Sequence, residues 1–423
     1  MSNATPPAHP AAAAGPPIEE APHRRLLLSL PVVWIALLAN YQGLQQVLLP
    51  NQVRDLDPEN KITNLALVTT IGVMFTFVVQ PIIGAFSDRT RSRLGRRTPW
   101  MLAGSMIAAV FLLGMGHLRS LFWVAAFWVV IQLALNVLQG PLSAIVADRF
   151  PRSKRGTASA AVGIGTIIGT TAGVVGAGAL AERLGPGYTV FGVAILAVTG
   201  AFIAFNRDSS SLALEREPFN WRGFVRGFWV SPRRYPDFHL AFFGRLLFLF
   251  GYTIVSVYQL YTLTDYIGLT EAEANQKIGL LSVALLGGVL ATVLLGGWLS
   301  DRLRRRKVFL YIASVLMGAG LVVPLFSPTL AGMCVLGILV GMGFGLYLSA
   351  DQALMTEVLP KAGASAAKDL GILNIANNIP GAASPGLAAF LINAFGGYPA
   401  LFVFGLVCVV AAAAVIVPIK SVR

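Results

Sequence analysis

The chain has 423 residues, of which 56% are hydrophobic and only 12% charged. A soluble domain carries about 25% charged residues, so this chain cannot cover a water-facing surface of its size, and lipid must solvate much of it. The net charge of +13 does not mark a nucleic-acid binder, because the basic residues sit in short loops between apolar runs of membrane-spanning length. Cys334 and Cys408 lie inside apolar runs and the four histidines are scattered, which excludes a disulfide framework and a metal site.

Residues 1–25 are rich in Ala and Pro and lack the apolar core of a cleaved signal peptide. They are expected within a disordered cytoplasmic tail, 1–27. Apolar stretches long enough to span follow at about 28–49, 62–86, 99–117, 121–146, 157–181, 187–206, 239–264, 278–300, 307–326, 329–357, 368–394 and 397–418. The connections are short except at 207–238, a polar segment with Pro218, Pro232 and Pro236. The expected organisation is a six-helix bundle at 28–206, a cytoplasmic linker at 207–238, a second six-helix bundle at 239–418 and a cytoplasmic tail at 419–423. With the N-terminus inside, the cytoplasmic segments hold 26 Lys and Arg, whereas the external loops hold five, namely Arg54, Lys61, Arg119, Arg183 and Lys277. That bias places both termini in the cytoplasm of a multi-pass protein of the inner (plasma) membrane.

The first span carries Asn40, Tyr41, Gln42, Gln45 and Gln46. Gln42, Gln45 and Gln46 share a helix face. Amides both donate and accept hydrogen bonds, which suits a hydroxyl-rich ligand and equally a hydrated path. The second span has no acid between Thr69 and Thr76. It ends in Gly84-x3-Asp88-Arg89-x5-Gly95-Arg96-Arg97-Thr98-Pro99-Trp100. Gly84 and Gly95 permit close approach and a tight turn, and Asp88 can sit at a neighbouring helix N-terminus. Arg89, Arg96 and Arg97 can pair with carboxylates at other helix ends, such as Asp148, in one gate state and part in the other. The pattern returns as Gly297, Asp301 and Arg302 at the end of the eighth span. Positive-inside charge alone explains the arginines but not this repeat, which points to two parallel repeats with a substrate site between them near the midplane.

The loop resembles the signature loop of the major facilitator superfamily. Its longer spacing and following Pro-Trp are similar to the glycoside–pentoside–hexuronide:cation symporters and the sucrose-transporter group. The resemblance implies an all-α polytopic membrane protein with twelve transmembrane helices in two pseudo-symmetric six-helix bundles, acting as a monomer. A sodium site of the melibiose-carrier type is not supported, because the second span lacks the acids.

In the fourth span Trp128, Gln132, Asn136 and Gln139 lie near one face, as pocket residues or as interhelical hydrogen-bond glue. Leu135 to Pro141 resembles the corresponding helix of sucrose transporters. Aligned there, the family's membrane aspartate, taken as its proton site, falls on Gln132, which cannot exchange a proton, and a family arginine falls on Ser143. The fifth span holds Gly165, Gly169 and Gly173, a close-packing ladder and not a nucleotide loop. With no Walker motif in the chain an ATP-driven pump is not expected, and the absence of the Gly-Pro pair of the antiporter signature counts against many drug exporters.

The seventh span has Tyr258, Tyr261, Thr262 and Asp265 on one side, and Arg245 nearer its cytoplasmic start reads as a snorkelling anchor. In the tenth, Asp351 follows Phe344 and Tyr347 and is the acid placed well within an apolar span. A carboxylate there is expensive unless paired, hydrated or protonated, which suits a proton carrier and also a structural ion pair with Arg245 or the loop arginines. Glu357, at the helix end, reads as the gate counterpart of Asp148. The eleventh span carries Asn374, Asn377 and Asn378 on one face before Pro380 and Pro385, a run that also resembles sucrose transporters. The prolines are expected to kink it, and the asparagines to contact solute or satisfy freed carbonyls.

No enzyme constellation is present, and neither a cofactor nor a metal is expected. The reading is a secondary carrier of a sugar, glycoside or similar polyhydroxylated solute, working by alternating access, with protons as a candidate coupling ion through Asp351. The alternatives are a proton-driven exporter of a hydrophobic or glycosylated metabolite and a non-transporting membrane sensor.

Overall fold

The computed structural model describes residues 20–208, 210–212, 236–303, 306–358 and 366–419. Among them the regular structure is helical and contains no strand. In hydrocarbon each backbone amide must be satisfied within its own segment, so apolar runs of this length fold as helices. The first, α1, comprises Glu20–Gly43, a π-helical turn at Leu44–Leu48, and Leu49–Leu56. It is followed by α2 (Lys61–Arg89), α3 (Thr98–Met115), α4 (Leu121–Arg149), α5 (Arg155–Leu180) and α6 (Leu184–Phe205). The second set opens with α7, which comprises Pro236–Ser256, Gln259–Tyr261 and a π-helical turn at Thr262–Tyr266. Then come α8 (Glu271–Leu303), α9 (Arg306–Phe326), α10 (Leu330–Val358), α11 (Ala366–Phe395) and α12 (Pro399–Ile416). Ten of the described segments are long and apolar enough to cross a membrane.

Two helix starts differ from expectation. α1 begins at Glu20, inside the segment expected as tail, and α7 begins at Pro236, inside the expected linker. Hydropathy marks where lipid begins, whereas a helix runs on into the headgroup region. Asp237 in the first turn of α7 complements the positive end of the helix dipole, and Pro236 lacks the N–H that would need a partner there.

The packing repeats between the halves. α1 lies on α5 and α6, α2 on α4, and α3 on α4 and α6. Adding six to each number reproduces the second half, where α7 lies on α11 and α12, α8 on α10, and α9 on α10 and α12. The halves meet along α5–α8 and α2–α11, contacts that the same two-fold operation exchanges. The glycine ladder of α5 acts as expected. A Cβ at Gly165, Gly169 or Gly173 would lie 2.4–2.6 Å from the carbonyl oxygens of Pro31, Ile35 or Ala39, so α1 and α5 touch backbone to backbone.

The face that carries the start of α1 and the end of α12 is termed terminal, and the opposite face distal. On the distal face Asp57 accepts from the backbone and side-chain amides of Asn60 and from Asn64 Nδ2, which fixes the α1–α2 turn. Thr270 and Glu273 form a capping box at the start of α8.

Candidate functional site: a cavity with a polar cluster toward each face

At the terminal face the α2–α3 loop turns sharply at Gly95, whose φ of +86° favours glycine. The turn delivers two guanidinium groups to the end of α4. Arg97, which is buried, bonds Asp148 through Nε at 2.9 Å, Asp88 through Nη2 at 2.6 Å and Ser87 through Nη1 at 3.1 Å. Arg96 reaches the other oxygen of Asp148 at 2.9 Å. The structure thus assembles Asp88, Gly95, Arg96, Arg97 and Asp148 into one cluster, as the loop motif suggests. Gly84 and Arg89 lie in the last turns of α2. In the second half Arg302 is exposed. Asp301 and Glu357, expected as gate partners, and Asn374 and Asn377, expected at the solute, fall outside the residues whose side chains are described. Asn378 is exposed.

At the distal face the halves are joined. Asn51 and Asn275 exchange two amide hydrogen bonds of 2.7 and 3.3 Å and are 1% and 6% exposed. Lys61 pairs with Asp265 at 2.7 Å, and Arg54 with Glu271 at 3.1 Å. Tyr398 donates to the second oxygen of Asp265 at 2.6 Å. Tyr258 and Tyr261, expected to contact solute, are spent elsewhere in this conformation. The Tyr258 hydroxyl bonds the carbonyls of Ile62 and Pro385, and that of Tyr261 bonds Pro50. They belong to the distal closure, because their hydroxyls reach carbonyls of α2 and α1 across the boundary between the halves.

Between the two faces a cavity lies at the boundary of the halves. It measures about 40 Å³ in this conformation, and its polar lining is Gln46, Thr170, Thr171, Tyr252, Ser256, Gln259 and Ser282, beside apolar Leu281, Leu285, Leu321, Leu336 and Val340, with no charged side chain among the described residues. Gln46 donates to Gln42 at 2.6 Å, so the α1 amides act as a linked pair, and Gln45 is half-buried beside them. Trp128, Gln132 and Asn136 are buried elsewhere. The Trp128 indole fills the space opposite Gly72 of α2, where a Cβ would meet it at 2.7 Å, and Asn136 donates to the carbonyl of Gln132. Here they pack α4 against α2 and do not line the cavity, because Gly72 lets the indole settle within the first half.

Deeper in the second half, Asp351 is 3% exposed and accepts from the Tyr347 hydroxyl at 2.9 Å. Its other oxygen faces Arg245 Nη1 at 3.4 Å. Arg245 is 7% exposed. This corrects its reading as a snorkelling anchor: a guanidinium facing a buried carboxylate across α7 and α10 is held by that charge, not by the headgroups. Tyr347 stacks on Phe248 at 3.8 Å between ring centroids, so it holds Asp351 and is not free for solute.

The model of the Major Facilitator Superfamily matches residues 47–260 and again 241–422, one match for each half. The chain belongs to the major facilitator superfamily. Its curated relatives include the sucrose transport proteins SUC4 (26% identical over 198 residues, 40% of this chain and 38% of the relative) and SUC3 (33% over 132 residues, 25% and 22%) of Arabidopsis thaliana. The chain thus spans well under half the length of those relatives. Among solved structures, the nucleoside transporter NupG matches with a TM-score of 0.71 at 11% identity over 93% of this chain and 99% of that one. A bacterial homolog of the human lysosomal transporter Spinster, in an inward-facing and unoccupied conformation, matches with a TM-score of 0.66 at 16% identity over 95% and 96%. These last two show the fold.

For a major facilitator protein the informative misses are the cavity residues. Thr170, Thr171, Ser256, Gln259 and Ser282 were not singled out, because isolated hydroxyls and amides in apolar spans read as ordinary helix decoration. One signal was available for the first two: Thr170 and Thr171 follow Gly169 of the ladder, and a helix pressed against α1 on its glycine face turns neighbouring residues toward the other half.

Proposed function

We propose that this protein is a secondary active transporter of a sugar, glycoside or similar polyhydroxylated solute. The observation that carries the reading is a cavity between the halves, small in this conformation at about 40 Å³, whose described lining sets amides and hydroxyls beside apolar side chains, with separate polar clusters toward each face. Groups that both donate and accept match solute hydroxyls. The relatives named as sucrose transport proteins support the same class. The Lys and Arg distribution places the terminal face in the cytoplasm, so the joined distal face is external and the conformation inward-facing. Alternating access then requires the distal contacts to part while the Arg97–Asp148 cluster rearranges.

Proton coupling rests on Asp351. A proton on this carboxyl weakens its hold on Arg245, and α7 and α10, which this pair links, are free to shift. The protein works as a monomer in the plasma membrane. A proton-driven exporter is the second reading, favoured by Gln132 standing where the sucrose group has its acid and by the apolar part of the cavity wall. Thermal-shift measurements with disaccharides, glycosides and hydrophobic metabolites at two pH values separate the two, since a ligand of the folded state raises its stability. Stabilisation by a sugar supports the first. Stabilisation by hydrophobic metabolites alone replaces it with the exporter.

A further inference from the structure

The segment after α6 would be expected to leave the bundle as a free tether. Its first residues instead lie fastened on the α2–α3 loop. The Ser211 amide donates to the Ser92 carbonyl at 3.1 Å, and the Ser92 amide donates to Ser211 Oγ at 3.0 Å. The same hydroxyl donates to the Thr90 carbonyl at 3.0 Å. Ser211 is 1% exposed, so one small side chain satisfies two backbone groups of the loop. Upstream, Arg149 forks to the carbonyls of Asn206 and Arg207 at 2.9 and 3.2 Å. Asn206 Nδ2 reaches Ser29 of α1 at 2.9 Å. The Asp208 carboxylate sits where a Cβ of Gly95 would be, at 2.4 Å from that position. Gly95 is thus required twice, for its positive φ and for the approach of Asp208.

Two consecutive residues at the end of α4 divide the work. Asp148 takes Arg96 and Arg97 of the loop, while Arg149 takes the carbonyls of the segment that lies over it. A cavity of about 260 Å³ beneath is lined by both sets, including Arg97, Asp148, Asn206, Asp208 and Ser211.

We propose that Asn206, Arg207, Asp208 and Ser211 act as a strap that positions the α2–α3 loop, with Ser211 as its central positioning residue, so that Arg96 and Arg97 meet Asp148. The consequence for transport rests on the gate reading above, whereas the docking itself does not.

The test uses the full chain in nanodiscs with two readouts. Hydrogen exchange across residues 90–97 reports the docking, and the spin-label distance between Glu59→Cys and Ala272→Cys, both exposed, reports the distal face. Ser211→Ala is expected to speed exchange about tenfold, the equivalent of one net hydrogen bond. Ser211→Thr, which keeps the hydroxyl, restores the slow rate. Ser211→Ala is also expected to shift the distance distribution in the direction of Asp148→Asn and to add nothing in its presence. Exchange unchanged by Ser211→Ala overturns the strap, and additive effects of the two substitutions overturn its positioning role. If Asp148→Asn alone leaves the distribution unchanged while the exchange response persists, the gate reading falls and the strap stands.

Discussion

The distal closure depends on few groups, and the Asn51–Asn275 pair is the most buried of them. Asn51→Leu keeps the side-chain volume and removes both polar atoms. In the joined state it leaves the Asn275 amide without its partner in a site 6% exposed, next to the backbone approach of Gly178 on α5. Once the face opens, water satisfies Asn275. The substitution therefore acts on the difference between the two states. A buried polar group left unpaired costs about 1–3 kcal/mol, which shifts the ratio of joined to open molecules by about 5- to 150-fold. Spin labels at Glu59→Cys and Ala272→Cys read that ratio as a growing long-distance population. An unchanged distribution in a folded, monodisperse variant would refute the reasoning. It would mean that Asn275 finds a new partner or that the ion pairs alone hold the face. Tyr261→Phe, which loses only the bond to the Pro50 carbonyl, should shift the ratio in the same direction by about fivefold, equivalent to about 1 kcal/mol.

Other outcomes follow from the same geometry. Asp351→Asn should abolish uphill uptake in energised vesicles and spare exchange; full accumulation by that variant removes Asp351 from coupling. Arg245→Met should lower stability by about 3–5 kcal/mol, because it leaves a buried carboxylate unpaired, and adding Asp351→Asn should recover much of the loss in thermal unfolding. Gly173→Leu should separate α1 from α5, where even a Cβ meets the Ala39 backbone at 2.4 Å, and should lower the apparent Tm. The backbone amide of Asn60, helped by the Asn60 and Asn64 side chains, holds the Asp57 carboxyl below its ordinary range. Its contribution to the order of the α1–α2 turn is therefore present above the ordinary carboxylate value and is lost as pH falls through the depressed one. The hydrogen-exchange protection of residues 57–60, corrected for the intrinsic rate at each pH, should fall on acidification in the parent, and Asp57→Asn should flatten that response.

The Arg96–Arg97–Asp148 cluster was legible because its logic is local. Gly95, Arg96 and Arg97 lie three in a row on a loop that must turn, and Asp148 closes another helix on the same face by the charge bias alone. The surroundings of the residues proposed to contact solute were legible only in part. Gln42 and Gln46 meet one another because i and i+4 on a helix always do. Tyr258 and Trp128 carry the same kind of signal, yet one crosses to the opposite half and the other sinks into Gly72. Helical periodicity gives the angle of a side chain around its own helix, and says nothing of which neighbour stands at that angle.

Arg245 shows the same limit in energetic terms. From the chain alone its depth suggested a side chain reaching for headgroups, and it was one of several arginines that could pair with Asp351, more than a hundred residues away. Only the packing of α7 on α10 brings the two charges to 3.4 Å, and a buried charge takes whatever partner the fold provides.

Twelve spans, two repeats and the charge asymmetry are properties of composition along the chain, since hydrocarbon leaves a segment no choice but to satisfy its own backbone and loops keep their charge in water. The cavity wall, the distal closure and the docking of Asn206, Arg207 and Ser211 belong to the tertiary structure. They are made from contacts between segments far apart in the chain, whose relative rotation is settled by the packing of small residues such as Gly72, Gly95 and Gly173 and not by hydropathy.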